Sequence, residues 1–113
     1  MFIGLLLFFL AGVVGANGIP HFVKGIVGSR HQTPFKNPSS APVNTLWGSA
    51  NFLIGFWLTV WGMSFGVPFS LAGTLMIAGM LLTGFLLARH WQDDPVAKGE
   101  KESTKKQGVG RKA

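Results

Sequence analysis

Three histidines are the residues of this chain best suited to chemistry. His21, His31 and His90 are its only histidines, and it contains no cysteine. Thiolate metal sites and cysteine nucleophiles are therefore excluded. A metal or haem site built from all three histidines stays open, but they do not show the close spacing of a ligand motif. We favour histidines at the edge of a membrane, and we predict no metal site and no cofactor.

Other catalytic groups lack their partners. The serines nearest the apolar segments, Ser49, Ser64 and Ser70, have no neighbouring acid or histidine that would make a triad. Acidic residues are absent from the apolar segments, so a proton relay or cation pump lacks its usual carboxylate. Phosphate-loop and nucleic-acid-binding motifs are also absent. We therefore predict no catalytic residues and favour a protein that is not an enzyme.

The distribution of charged residues indicates the secondary structure that positions these histidines and serines. Of 113 residues, 48% are hydrophobic and only 12% are charged. No charged residue precedes Lys24, and none lies between Lys36 and Arg89. Because a helix needs about 20 apolar residues to cross a bilayer, these stretches predict an all-α integral membrane protein. Its three transmembrane helices are expected at about residues 2–19, 46–64 and 70–89.

Local signals set the boundaries of these segments. Pro20 is expected to end the first helix because proline cannot continue the helical ladder. Gly66 and Pro68 predict a tight turn between the second and third helices. A basic loop joins the first two helices, and its part over residues 32–42 is expected to be irregular. We divide the chain into a membrane domain (1–91) and a polar, disordered cytoplasmic tail (92–113).

The basic residues predict the orientation. All ten Lys and Arg residues lie in the loop after the first helix or in the segment after the third. Basic residues near helix ends stay on the cytoplasmic side. We therefore predict a multi-pass protein with its N-terminus outside and its C-terminus in the cytoplasm, and we assign the net charge of +6 to topology rather than to nucleic acid. A cleaved signal peptide is the less favoured alternative for the first segment.

One face of the second helix carries only small or uncharged polar residues. Helices associate in lipid by close packing of small residues and by interhelical hydrogen bonds. The face therefore predicts a contact surface, either inside the three-helix bundle or towards another subunit or a second copy. A pore or groove is the least favoured alternative. Its members, at spacings of three and four, are Asn44, Gly48, Asn51, Gly55, Thr59, Gly62 and Gly66.

A second group of polar side chains is expected at the cytoplasmic interface. It consists of Asn17, His21, Lys24 and Asn51. An amide inside a membrane needs hydrogen-bonding partners, and both asparagines fall in the cytoplasmic half. A hydrogen bond between Asn17 and Asn51 is therefore one arrangement that the sequence allows.

Two sequence patterns resemble a group of short, uncharacterised bacterial integral membrane proteins. The first is Asn-Gly-Ile-Pro-His-Phe at residues 17–22, and the second is Asn-Thr-Leu-Trp-Gly at residues 44–48 followed by Asn51. The resemblance covers roughly residues 10–55. It implies the bacterial inner membrane and a defined packing of the His21 loop against the face that begins at Asn44. It implies no activity, because the group has none that could be transferred to this chain.

Together these observations predict a protein of structural or interaction type in a lipid bilayer. We favour an accessory subunit of a membrane complex or a small homo-oligomer. The alternative is a small transporter or membrane enzyme that uses Asn17, His21, Lys24 and Asn51 as a polar cluster.

Overall fold

The computed structural model describes residues 1–94. Its elements follow in the order α1 (Phe2–Ile26), β1 (His31–Thr33), β2 (Lys36–Ser39), α2 (Ala41–Met63) and α3 (Phe69–Trp91). Three helices make up most of this part of the chain, as predicted. From residue 95 onward, the predicted tail lies outside the described residues.

The first helix is longer than predicted. It passes through Pro20 and ends at Ile26, so the expected end at residue 19 was wrong. Proline costs one backbone hydrogen bond, but the extra turns bury His21 and Gly25. A Cβ added at Gly25 would meet Thr45 and Ala41 of α2, so the two backbones pack closely there. This packing offsets the bond lost at Pro20.

A β-hairpin replaces the irregular loop, so the all-α prediction was incomplete. Strands β1 and β2 pair antiparallel, with His31 opposite Ser39 and Thr33 opposite Lys36. The Thr33 and Ser39 hydroxyls hydrogen-bond to each other, and Ser39 Oγ donates to the Lys36 carbonyl at 2.8 Å. These local side-chain bonds stabilise a strand pair that is too short to be stable alone.

The second helix begins five residues earlier than the predicted residue 46 because its start is capped. Ser40 precedes it in an extended conformation, and its side chain accepts a hydrogen bond from the Val43 N–H at 3.4 Å. Pro42 lies in the first turn, where its missing N–H costs nothing. The earlier start brings Asn44 into the helix.

Helix α1 lies between the other two helices and contacts both. Gly48 of α2 faces Gly18 and Phe22 of α1, while Gly62 faces Phe8, so α1 and α2 run antiparallel. Gly79 of α3 packs on the α1 backbone around Phe9. Helix α3 runs parallel to α1, which places the hairpin and the C-terminal end of α3 at the same end of the molecule.

Two helices are long and apolar enough to cross a membrane. The most apolar 18 residues of α1 and α3 have mean hydropathies of 2.2 and 2.0. No stretch of 18 residues in α2 reaches the mean hydropathy of a candidate spanning segment, although many of its exposed side chains are large and apolar. Helices α1 and α3 therefore support a membrane location.

Candidate functional site

Asn44 is the centre of a polar network where α1, the hairpin and the start of α2 meet. Its side chain is 0% exposed. Its amide nitrogen donates to the carbonyl oxygens of His31, Ser39 and Ser40 at 2.9, 3.1 and 3.0 Å. Three acceptors around one nitrogen fix the orientation of the amide. The Asn44 Oδ1 therefore points the other way, towards α1.

The orientation of Asn44 determines the tautomer of His21. His21 Nδ1 lies 3.0 Å from Asn44 Oδ1. Because that oxygen can only accept, Nδ1 must carry the proton and donate it. In the neutral ring the other nitrogen, Nε2, then holds a lone pair and is a hydrogen-bond acceptor or base. The contact with Asn44 thus fixes Nδ1 as the nitrogen that carries the proton in the neutral His21 ring.

His31 is the most unusual group of the site. It is 2% exposed, and neither ring nitrogen has a hydrogen-bond partner among the described residues. Its ring lies between those of His21 and Trp91, with centroid separations of 5.1 and 4.6 Å. Burial lowers the pKa of His31 from 6.5 to about 4, with smaller contributions from His21 and Lys24, while Asp94 acts in the opposite direction. His31 is therefore a neutral imidazole with unused hydrogen-bonding capacity.

The two asparagines inside the bundle hydrogen-bond to each other, as the sequence allows. Asn17 Nδ2 of α1 donates to Asn51 Oδ1 of α2 at 3.1 Å. Asn51 Nδ2 donates to the Trp47 carbonyl one turn earlier at 2.8 Å. The Asn51 amide is thereby satisfied on both sides.

The contact face of α2 is used inside the chain. Its buried members face α1, and a Cβ added at Gly48 would come within 2.5 Å of the Phe22 nitrogen. Gly55 is looser, at 3.3 Å from the Ala11 carbonyl oxygen. Packing within the bundle, one of the two favoured alternatives, therefore accounts for the buried members, which are Asn44, Gly48, Asn51, Gly55 and Gly62.

Three other sequence-predicted residues have different positions. Thr59 is half-buried, and its hydroxyl donates to the Gly55 carbonyl of its own helix at 2.9 Å. Gly66 does not belong to the contact face: it follows the end of α2, is exposed, and has a φ of 68° that glycine adopts easily. Lys24 is half-buried and acts on His31 through its charge. Within the predicted polar cluster, Asn17 thus pairs with Asn51, whereas His21 pairs with Asn44, which was assigned to the contact face.

Two adjoining cavities lie beside this network. A polar cavity of about 300 Å³ is lined by residues that include Asn17, His21, Trp47 and Trp91. An apolar groove of about 440 Å³ follows the contact between α1 and α3. Both are lined by Pro20, Leu87 and Trp91, so they lie side by side.

A metal site of three protein ligands does not form in residues 1–94, because no three His, Cys, Asp or Glu side chains are grouped there. His21 and His31 lie together, but His90 does not complete the group. The central position of Asn44 was missed because the sequence assigned it to helix packing alone. The spacing of Asn44 from Ser39 and Ser40, which precede a proline-containing helix start, was the available signal.

Comparison with known proteins gives no relative from which a role can be transferred. No family model matches the chain, and neither a curated protein nor a solved structure matches it.

Proposed function

We propose that this chain is a small integral membrane protein of structural or interaction type, acting as an accessory subunit or a small homo-oligomer. The observation that carries the proposal is the outward surface of α2 and α3. Leu53, Trp57, Leu81 and Phe85 are all more than half exposed. Contiguous apolar surface of this kind is covered by lipid or by a partner.

Helix α2 is the third spanning helix in this proposal. Its polar side chains Asn44 and Asn51 are buried inside the chain, so they do not face lipid. Its 23 residues correspond to about 34 Å, which exceeds a hydrocarbon thickness of about 30 Å. Asn44 and Asn51 therefore lower the mean hydropathy of α2 without adding polar surface to its outward face.

The proposed topology places both termini of this bundle on opposite sides of the bacterial inner membrane. Lys24, Lys36 and Arg89 lie at the end of the bundle that carries the hairpin, which supports a cytoplasmic location for that end. A reporter that is active only in the cytoplasm should be active when fused to the C-terminus. Activity of a periplasmic reporter at the same fusion point would contradict the topology.

The interaction role can be tested with a photo-crosslinking residue in place of single side chains. Trp57 and Phe85 face outward, whereas Leu7 and Ala72 are buried and are the matched controls. We expect a protein adduct of defined mass from at least one outward position and none from the buried positions. Lipid adducts alone at Trp57 and Phe85, together with a monomeric mass in native membranes, would contradict the role.

The second candidate is a small transporter or membrane enzyme that uses the polar cluster. It is favoured by one observation: the polar cavity is lined by His21 and Asn17, two members of that cluster. The tautomer set by Asn44 gives His21 a lone pair, which is the property a base or a ligand-binding acceptor needs.

A further inference from the structure

His21 and His31 form a buried pair of imidazoles at the hairpin end of the molecule. His21 belongs to α1 and His31 to β1, and their side chains are only 6% and 2% exposed. Their ring centroids are 5.1 Å apart. With metal–nitrogen bonds of about 2.0–2.1 Å, two imidazoles on one tetrahedral ion hold their centroids about 5.2 Å apart. The pair therefore has the separation of two ligands that share an ion.

The ring nitrogens of His31 are the second indication of a ligand. Aromatic rings that simply pack together have centroids about 4.5–7 Å apart, so the separation alone does not identify a metal site. Both nitrogens of His31 are buried, and neither has a hydrogen-bond partner among residues 1–94. Buried polar atoms in native proteins almost always have a partner. A bound ion would give one of these nitrogens the partner that the described chain does not supply.

Asn44 holds His21 in the form that a metal ligand needs. Asn44 Oδ1 accepts the Nδ1 proton of His21 at 3.0 Å, and Asn44 Nδ2 donates to the His31 carbonyl oxygen at 2.9 Å. His21 Nε2 therefore keeps its lone pair. Metal-binding histidines usually donate their other ring N–H to an oxygen in this way, which fixes the tautomer and the orientation of the ring. A single asparagine thus orients His21 and links it to the backbone of His31.

The surroundings favour an ion that bonds to imidazole over one that is held by charge. Lys24 and Asp94 act on His31 with opposite signs, and no group of three His, Cys, Asp or Glu side chains occurs in residues 1–94. Mg²⁺ and Ca²⁺ need oxygen ligands, carboxylates above all. Imidazole suits zinc and copper. Two neutral imidazoles without a carboxylate cluster therefore indicate the zinc and copper class.

We infer that His21 Nε2 and one ring nitrogen of His31 bind a divalent transition-metal ion of the zinc type, with water in its remaining positions. The ion reaches the pair through the polar cavity, which His21 lines. The prediction from the sequence, that there is no metal site, considered all three histidines together. This site uses two of them and leaves out His90, which is exposed. The inference is independent of the interaction role, which is tested by crosslinking without added metal.

Binding is measured by titration calorimetry on the full chain, purified without a histidine tag, stripped of metal by a chelator and placed in phosphatidylcholine nanodiscs. The probes are Zn²⁺ and Mg²⁺. We expect one Zn²⁺ to bind per chain and no binding of Mg²⁺. X-ray absorption at the zinc edge should show two imidazole ligands with Zn–N distances of about 2.0–2.1 Å. Imidazole ¹⁵N spectra should show that Zn²⁺ moves the signals of His21 Nε2 and of one His31 nitrogen and leaves those of His90 in place.

The third histidine offers a matched control. His21→Gln and His31→Gln each replace a proposed ligand by an amide, whereas His90→Gln makes the same change at an exposed position outside the pair. The loss of an outer partner of a metal ligand already costs about 10–100-fold in affinity, so we expect either ligand variant to weaken Zn²⁺ binding at least about tenfold. His90→Gln should leave the affinity unchanged. Circular dichroism shows whether each variant folds, and the ¹⁵N spectra of the unaltered chain test the same two ligands without any substitution.

Four results would overturn the inference. The first is a stripped chain that does not bind Zn²⁺. The second is a ¹⁵N shift at His90 alone, which would indicate an adventitious surface ion. The third is an equal loss of affinity in all three variants, and the fourth is binding of Mg²⁺ as tight as that of Zn²⁺. None of these results affects crosslinking from Trp57 or Phe85, so the two proposals fail separately.

Discussion

Replacement of Gly48 by alanine tests the contact between α1 and α2 most directly. The added Cβ would lie 2.5 Å from the Phe22 nitrogen and 2.8 Å from the Gly18 carbonyl oxygen. Ordinary contacts of this kind are about 3.5 Å, so the two helices must separate by roughly 1 Å. Both nearby atoms belong to the α1 backbone, so no change of side-chain rotamer can relieve the contact.

The expected loss of stability follows from the contacts that this separation of α1 and α2 would change. Overpacking of a tight contact costs about 1–3 kcal/mol. The His21–Asn44 and Asn17–Asn51 hydrogen bonds lie on either side of Gly48, at 3.0 and 3.1 Å, and both would lengthen. Interhelical hydrogen bonds in membranes contribute about 0.6 kcal/mol each. Alanine is also more favourable than glycine in a helix by up to about 1 kcal/mol. A control variant must therefore carry the same gain, so that it cancels in the comparison.

Gly15→Ala is the control, because a Cβ there meets nothing within 4 Å. It gains the same propensity without the clash. We expect Gly48→Ala to be less stable than Gly15→Ala by about 2–4 kcal/mol, the sum of the overpacking and hydrogen-bond costs. The free energy of unfolding is measured by SDS titration in mixed micelles. A difference below about 0.5 kcal/mol, within the usual effect of a surface substitution, would refute the close contact.

Three further predictions concern the polar groups. Asn44→Leu should lower the free energy of unfolding by about 2–4 kcal/mol, because it leaves buried partners unsatisfied; a loss of the single His21 tautomer in ¹⁵N spectra would accompany it. A double-mutant cycle of Asn17→Ala and Asn51→Ala should give a coupling near 0.6 kcal/mol in the SDS titration, and zero coupling would contradict the bond. His31 binds a proton more readily in the unfolded chain (pKa 6.5) than in the folded one (about 4), so its contribution to stability is present above pH 6.5 and is lost as the pH falls towards 4. His31→Gln should flatten the dependence of the unfolding midpoint on pH in that window, and an unchanged slope would contradict the assigned burial.

Three parts of the fold show what periodicity and composition can predict and what they cannot. The apolar runs predicted three helices because hydrophobic length is a local property of the sequence. The predicted helix end at Pro20 was wrong because the sequence shows only the backbone hydrogen bond that proline removes. The packing of Gly25 on Thr45, which offsets that loss, is a tertiary contact that the local sequence does not reveal. The hairpin was missed because its stability depends on Thr33 and Ser39 side chains, and strands this short have no periodic pattern.

The candidate site divides in the same way. The Asn17–Asn51 bond was one of the arrangements that the sequence allowed, because both residues were placed at one depth of a membrane. The sequence placed Asn44 on the contact face of the second helix, and the resemblance implied that the His21 loop packs against that face. The hydrogen bond between His21 and Asn44 was not predicted, because Asn44 was not counted in the polar cluster. The earlier helix start brings Asn44 fully into α2, where its side chain contacts both His21 and the hairpin.

Helix α2 shows why an average over a helix is a poor measure of its surroundings. Its mean hydropathy is lowered by residues such as Asn44, Gly48 and Asn51, and all three are buried against the rest of the chain. Its outward residues include Leu53 and Trp57, which are 60% and 59% exposed. The outward face of α2 is therefore more apolar than the average over the whole helix indicates. Because the small residues of α2 are used against α1, the partner subunit that we propose would meet large apolar side chains on α2 or α3, and crosslinks from Trp57 and Phe85 would distinguish these two surfaces.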